Sequence, residues 1–271
     1  MFGHTWYFST IRKYVILFGT LFNDVRITRE DKDGNVVSLL KVPLSYAPKE
    51  KILARFDSDP EINRPYSSLL PRMSFEMSSL TYDGGRKLHT IGRTVIKDTT
   101  TTKKLKYQYN PVPYNFNFKL YIYVKNAEDA TKIAEQILPF FTPDWTTTVK
   151  LIPEMNINMD IPVVLDNISI EDSYDGNFAE RRALVWTIDF TLKGYIYGPV
   201  KKGPIIKYAN TVFYAGSKSD DNDPFEYTVI TPGLTANGTP TSNASLSISI
   251  DEIEVDDDFG YIVDNNKLIW D

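Results

Sequence analysis

QYNPVPYNFNFKLYIYVKNAEDATKIAEQILPFFTP, residues 108–143, carries the two periodicities from which the fold is read. Pro111 and Pro113 hold the backbone extended, because each ring fixes its own φ and also restricts the residue before it. After them the chain alternates. Phe116, Phe118, Leu120, Ile122 and Val124 point one way, and Asn115, Asn117, Lys119, Tyr121 and Tyr123 the other, as side chains do along a strand. The period then changes to that of a helix. Asn126 is placed as its cap, with Asp129 completing a weaker capping box. Ala130, Ile133, Ala134, Ile137, Leu138 and Phe141 make its apolar stripe, and Pro139 and Pro143 close it. A proline-initiated strand therefore runs straight into an amphipathic helix.

Toward the N-terminus, Ser9 or Thr10 is placed to cap a first helix, with Ile11, Tyr14, Val15, Phe18, Leu21, Phe22 and Val25 on one face. VRIT and VVSLLKV flank DKDGN and predict a hairpin, Gly34 supplying the positive φ of its turn. Residues 47–56 predict a short helix with Pro48 in its first turn. Residues 70–82 and 87–97 read as extended around a DGGR turn, and DTTTTKKLK after them as a mobile loop or hairpin tip. Three more strands are expected at 147–152, 161–170 and 183–195. Beyond Gly198 the chain is rich in Gly, Pro, Ser, Thr and Asn. TPGLTANGTPTSNAS reads as a linker and LSISIDEIEV as a strand, so a C-terminal arm or small β addition is expected. The fold class is α/β or α+β: a mixed sheet packed with helices. The division is a core domain over 1–200 and an extension with an acidic tail over 201–271.

The charge is uneven. Residues 251–271 hold eight acids against Lys267 alone, while the rest of the chain is close to neutral. No basic excess exists to neutralise many phosphates. With no cysteine in 271 residues, disulfides, thiolate metal sites and cysteine nucleophiles are excluded. The N-terminal VILFGTLF is too short for a signal core and lacks a cleavage site, so a soluble intracellular product with no membrane partner is expected.

Catalytic motifs are sparse. His4 and His89 sit at no metal-ligand spacing, and no Gly-rich phosphate loop or nucleophile elbow is present. Asp31 and Asp33 suit a hairpin turn better than a calcium loop, and Asp220, Asp221 and Asp223 a solvated loop. An uncharacterised hydrolase would need carboxylates such as Asp166, Asp172 and Asp175 to converge. A nucleic-acid-binding module would use Lys103, Lys104, Lys106, Tyr107 and Tyr109, whose simpler reading is a lysine-guarded strand edge. Ile262, Leu268 and Trp270 stand among the tail acids as apolar anchors for an interaction. The polar loop 97–106 and the segment 57–66 suit contact regions.

Five stretches in order carry a family resemblance: RKYVILFGTLFNDVRITR (12–29), VPLSYAPKEKILARF (42–56), LPRMSFEMSSLTYD (70–83), the run 107–148, and ERRALVWTIDFTLKGYIYGPV (180–200). Together they resemble the tail sheath stabiliser and completion proteins of contractile-tailed bacteriophages of the T-even type. The resemblance implies a tail-terminator-like fold and a non-enzymatic virion protein without cofactor or metal, made in the host cytoplasm. It implies a homo-oligomer, a hexameric ring at the head-proximal end of the tail. Its implied partners are the tail tube terminator, the terminal sheath ring and a neck or head-completion protein. Genomic DNA would pass through the lumen without sequence-specific binding.

Overall fold

The computed structural model describes residues 5–30, 36–57, 70–98, 104–172, 184–213 and 226–267. In chain order the elements are α1 (Thr10–Leu21), β1 (Arg26–Glu30), β2 (Val36–Lys41), β3 (Leu44–Tyr46), α2 (Lys49–Asp57), β4 (Arg72–Tyr82), β5 (Arg93–Lys97), β6 (Lys104–Tyr109), β7 (Val112–Val124), α3 (Ala127–Ile137), β8 (Asp144–Ile152), β9 (Ile157–Asp172), β10 (Leu184–Ile196), β11 (Lys201–Pro204), β12 (Ala209–Phe213), β13 (Glu226–Gly233) and β14 (Gly260–Lys267). The class is α+β.

Two compact units result. The first holds residues 1–90 and 111–197, the second residues 91–110 and 198–271. The chain passes between these units after residues 90, 110 and 197, so residues 91–110 stand with the C-terminal part. The cause is strand pairing: β6 takes β11 as a partner, which draws the β5–β6 hairpin to the C-terminal residues. That pairing also corrects the reading of β6 as an edge, since it is the central strand of β11-β6-β5.

The first unit is built on a six-stranded sheet of order β3-β4-β7-β10-β9-β8, in which only β3 and β4 run parallel. Strands β7 and β10 pair along thirteen residues without a bulge, from Val112↔Ile196 to Val124↔Leu184. The carbonyl of Pro113 accepts from the Asp83 N–H, so the backbone there faces β4, just past the last β4 pair at Tyr82↔Tyr114. The proline ring thus costs the ladder no hydrogen bond.

One face of β7 buries Phe116, Phe118, Leu120, Ile122 and Val124, as the alternation predicts. Helix α1 covers it with Tyr14 and Phe18. The Phe18 ring stacks on Phe118 at 4.4 Å and meets Phe190 edge-on at 5.3 Å. The Tyr14 hydroxyl donates to the Tyr195 carbonyl (2.8 Å) and accepts from the Tyr195 N–H (3.0 Å). It serves as a strand partner where the β9 ladder has stopped at Leu192↔Val163. Gly194 permits this approach: a Cβ there would stand 2.7 Å from both the Tyr14 and Phe116 rings. The Ser9 side chain makes no capping bond, although its carbonyl accepts from the Lys13 N–H, and Ile11 is exposed. The buried stripe of this helix is Tyr14, Phe18 and Phe22.

The opposite face of β7 is also covered. Tyr121 and Tyr123 pack with Ala47, Ile52 and Val185 beneath α2. Their hydroxyls pair with Glu76 (2.7 Å) and Ser74 (3.1 Å).

In the second unit, β12-β13-β14 form a separate antiparallel sheet. The stretch read as a linker is an ordered turn. Thr235 and Thr239 close on each other, Gly238 takes a φ of 75°, and Leu234 bridges Pro240. Gly233 and Gly260 pair across the strands, and the Thr241 carbonyl oxygen would lie 2.2 and 2.7 Å from Cβ atoms placed on them. Only glycine lets the turn cross so closely. LSISIDEIEV is not a strand. Its backbone bonds nearby side chains instead: the Asp251 N–H donates to Ser249 (3.4 Å) and the Glu254 N–H to Asp257, just past the stretch (2.8 Å). Such local bonds compete with a ladder.

Ile133 is fully buried, and Ile133→Ala should cost about 2–5 kcal/mol in urea unfolding. Gly194→Ala should cost about 1–3 kcal/mol by overpacking. An unchanged midpoint in both would contradict this packing. Burial pushes the phenols of Tyr123 and Tyr197 up to about 12, and raises those of Tyr14 and Tyr121 further, the last also through its bond to Glu76. The folded chain therefore holds these protons more tightly than the unfolded chain, whose tyrosines titrate near pH ~10. Stability from these groups is intact below pH ~10 and falls as pH rises toward 12 and beyond. Tyrosinate absorbance should rise together with loss of structure in an alkaline titration; full ionisation of a still-folded protein would contradict the burial.

Candidate interaction surfaces

Helix α3 has two working faces. Ala130, Ile133, Ala134 and Ile137 enter the core. Asp129, Lys132 and Gln136, spaced i, i+3 and i+7, meet β1. The Gln136 amide accepts from the Arg26 N–H (3.3 Å) and donates to the Arg26 carbonyl (2.6 Å). The Lys132 ammonium donates to the Thr28 carbonyl (3.4 Å). Arg29 grips Asp129 with both terminal nitrogens, Nη2 at 2.8 Å from Oδ2. Asp129 is thus not a capping-box residue. The Asn126 side chain makes no cap bond either, and the Asp129 carboxylate is buried in the ion pair. The pair raises the Arg29 guanidinium above its ordinary range.

A helix here stands in for a strand. It bonds the outer backbone edge of β1 at Arg26 and Thr28, and among the described residues no strand pairs with the outer edge of β2. All six β2 residues are exposed, with Val36 at 62%, Val37 at 68%, Leu39 at 59% and Leu40 at 39%. Among the described residues, neither face of β2 is covered. The first unit also carries an apolar groove of about 710 Å3, lined by Leu17, Leu21, Phe22, Ile137, Phe140 and Trp145 among others.

Of the candidate lysines, Lys104 is exposed at the start of β6. Lys106 is buried, with its ammonium 3.1 Å from Asp98. Lys202 reaches the other oxygen of Asp98 at 2.8 Å. Both cations are therefore engaged by one buried carboxylate. Ile262 lies half-buried in β14, close to Gly233. Lys103, Leu268 and Trp270 lie outside the described residues, as do 31–35, where the sequence predicts a hairpin turn, 58–69 and Asp175. Asp166 accepts from the Thr191 hydroxyl on an open sheet face. Among the described residues, no cluster of His, Asp or Glu could hold a metal, and no helix is long and apolar enough to cross a membrane.

The family model described as "T4-like virus Myoviridae tail sheath stabiliser" matches residues 5–262, a span that runs through both units. The chain belongs to this tail sheath stabiliser family. Among curated proteins, it is 29% identical over 226 residues to the "Tail completion protein gp15" of Enterobacteria phage T4, covering 80% of this chain and 81% of that protein. The match thus extends past Tyr214, beyond the last of the five resembling stretches, which ends at Val200.

The Arg29–Asp129 contact fixes the ribbon of this tail sheath stabiliser relative to α3. Arg29→Ala leaves a buried carboxylate without its cation and should cost about 1–3 kcal/mol, at the lower end because the arginine is partly exposed. Amide exchange in β1 should accelerate more than in β7; equal rates in both would show that the ion pair does not hold the ribbon.

Proposed function

We propose that this protein is a virion structural protein of a contractile tail. It caps the head-proximal end as a ring, stabilises sheath and tube, and joins the tail to the neck. The match of residues 5–262 to the tail sheath stabiliser family carries this reading, and the tail completion name of the T4 relative accords with it. The ring is a hexamer. Its neighbours are the tube terminator, the last sheath layer and a neck or head-completion protein, with DNA passing through the lumen. No chemistry is required of it. Rings of this kind need head-to-tail contacts, in which one surface of a subunit meets a different surface of the next.

A nucleic-acid-binding reading has less to work with, because Lys106 and Lys202 are both spent on Asp98. The deciding experiment is disruption of the gene in its phage. Tails made without the protein should lose sheath integrity and fail to join heads, and the supplied protein should restore both. Intact, head-joined tails would overturn the reading. Negative-stain images of the purified protein at high concentration should show rings of constant diameter.

A further inference from the structure

We infer that β2 of one subunit adds to β8 of the next copy, antiparallel, extending the neighbour's six-stranded sheet by the β1–β2 ribbon. This contact presupposes the ring assembly proposed above and assigns the strands that make it.

The donor is defined by what its own chain already satisfies. Gln136 and Lys132 occupy the outer edge of β1, and among the described residues no strand pairs with the outer edge of β2. That edge carries six exposed residues, four of them apolar. Exposed apolar strands with an open edge are templates for another strand.

The acceptor follows from the ends of the main sheet. At one end, β3 is only three residues long. At the other end, β8 is outermost and nine residues long. The Lys13 ammonium takes the carbonyls of Lys150 (3.0 Å) and Leu151 (2.7 Å), closing the far end of β8. Residues 144–149, DWTTTV, are left, and their length equals that of β2, VVSLLK.

Charge selects the direction. In an antiparallel register Lys41 faces Asp144, Leu40 faces Trp145, and Val36 faces Val149. Opposite charges and apolar pairs directly across a ladder are favourable. A parallel register would set Lys41 beside Lys150 and Val36 against Asp144. Lys41 bridges Asp24 at 3.0 Å within its own subunit, but both groups are well exposed and such pairs are weak enough to share the ammonium.

The area argues for a second copy of the chain in a closed assembly. The four apolar side chains of β2 expose on the order of 400 Å2, about half of what each partner buries in a standard interface. One such contact is weak. A subunit in a ring makes it twice, once as donor and once as acceptor, and closure makes the last contact intramolecular. Donor and acceptor are different surfaces, as a closing cyclic assembly requires.

The absence of cysteine makes the test clean. Leu39→Cys combined with Thr146→Cys, and separately Val37→Cys with Thr148→Cys, place thiols across the proposed register at exposed positions. Circular dichroism checks that each variant folds. Mild oxidation at ring-forming concentration should give a ladder of covalent multimers well beyond a dimer, absent from the single-cysteine variants and collapsed by reductant. No ladder in either folded pair overturns the pairing. A product that stops at a dimer, and that Leu39→Cys alone also gives, would mean two β2 strands pairing with each other and likewise overturns it. Rings on the grid without cross-linking would sink this strand assignment and leave the ring reading standing. A covalent ladder of open chains without closed rings would support the strand contact and overturn the ring.

Discussion

The β7–β10 ladder is the contact from which the first unit is organised. Its thirteen pairs run without interruption, whereas the β4–β7, β9–β10 and β8–β9 ladders each contain a register shift. An unbroken central pair and irregular flanks let the sheet twist at its edges without disturbing the layer where Phe116, Phe118 and Phe190 lie. Helix α1 can then dock by ring geometry: Phe18 finds a flat stack on Phe118, and Tyr14 finds a bare backbone at Tyr195. Were β7 and β10 to slip by one residue, both contacts would face the wrong side.

Helix α3 shows how one element can serve packing and edge protection together. Its apolar stripe is ordinary core. Its adjacent polar stripe reproduces with side chains what a neighbouring strand would do with amides, and Gln136 satisfies both backbone groups of Arg26. The consequence, among the described residues, is an asymmetric ribbon, protected on the β1 side and without a strand partner on the β2 side. The structure therefore directs pairing toward one edge.

Strands and helices whose partner layer is the core were legible in the sequence, because burial imposes a period. The 108–143 stretch is the clearest case, with its switch from alternation to a helical repeat. Features that depend on a distant partner were not legible. Asp129 sits at a capping-box position, and nothing local reveals that Arg29 claims it. KKLKYQY looks like a guarded edge because Asp98 and β11 cannot be seen beside it in the sequence. The second unit was the least legible, since its order comes from glycines at points of backbone contact and from side chains that bond the backbone. Such segments have little hydrophobic period, and they offer only local turn signals such as Asn237-Gly238 and Pro232-Gly233. Of the candidate contact residues, Lys104 is on the surface, Lys106 is spent internally, and Ile262 belongs to a strand of its own chain.

The discontinuous second unit also bears on the order of synthesis. Strands β5 and β6 are made early, but the strand that completes their sheet, β11, follows β10. While residues 110–200 are made the hairpin must wait with one side of β6 unpaired, and the first unit waits for β10 to complete its central ladder. The lysines of β6 carry a separate benefit during that interval. Before Lys202 and the rest of β11 arrive, their charge discourages premature pairing of the waiting edge with another nascent chain. A residue that ends as an internal ion pair thus begins as a guard, and the late arrival of β11 relieves it of that duty.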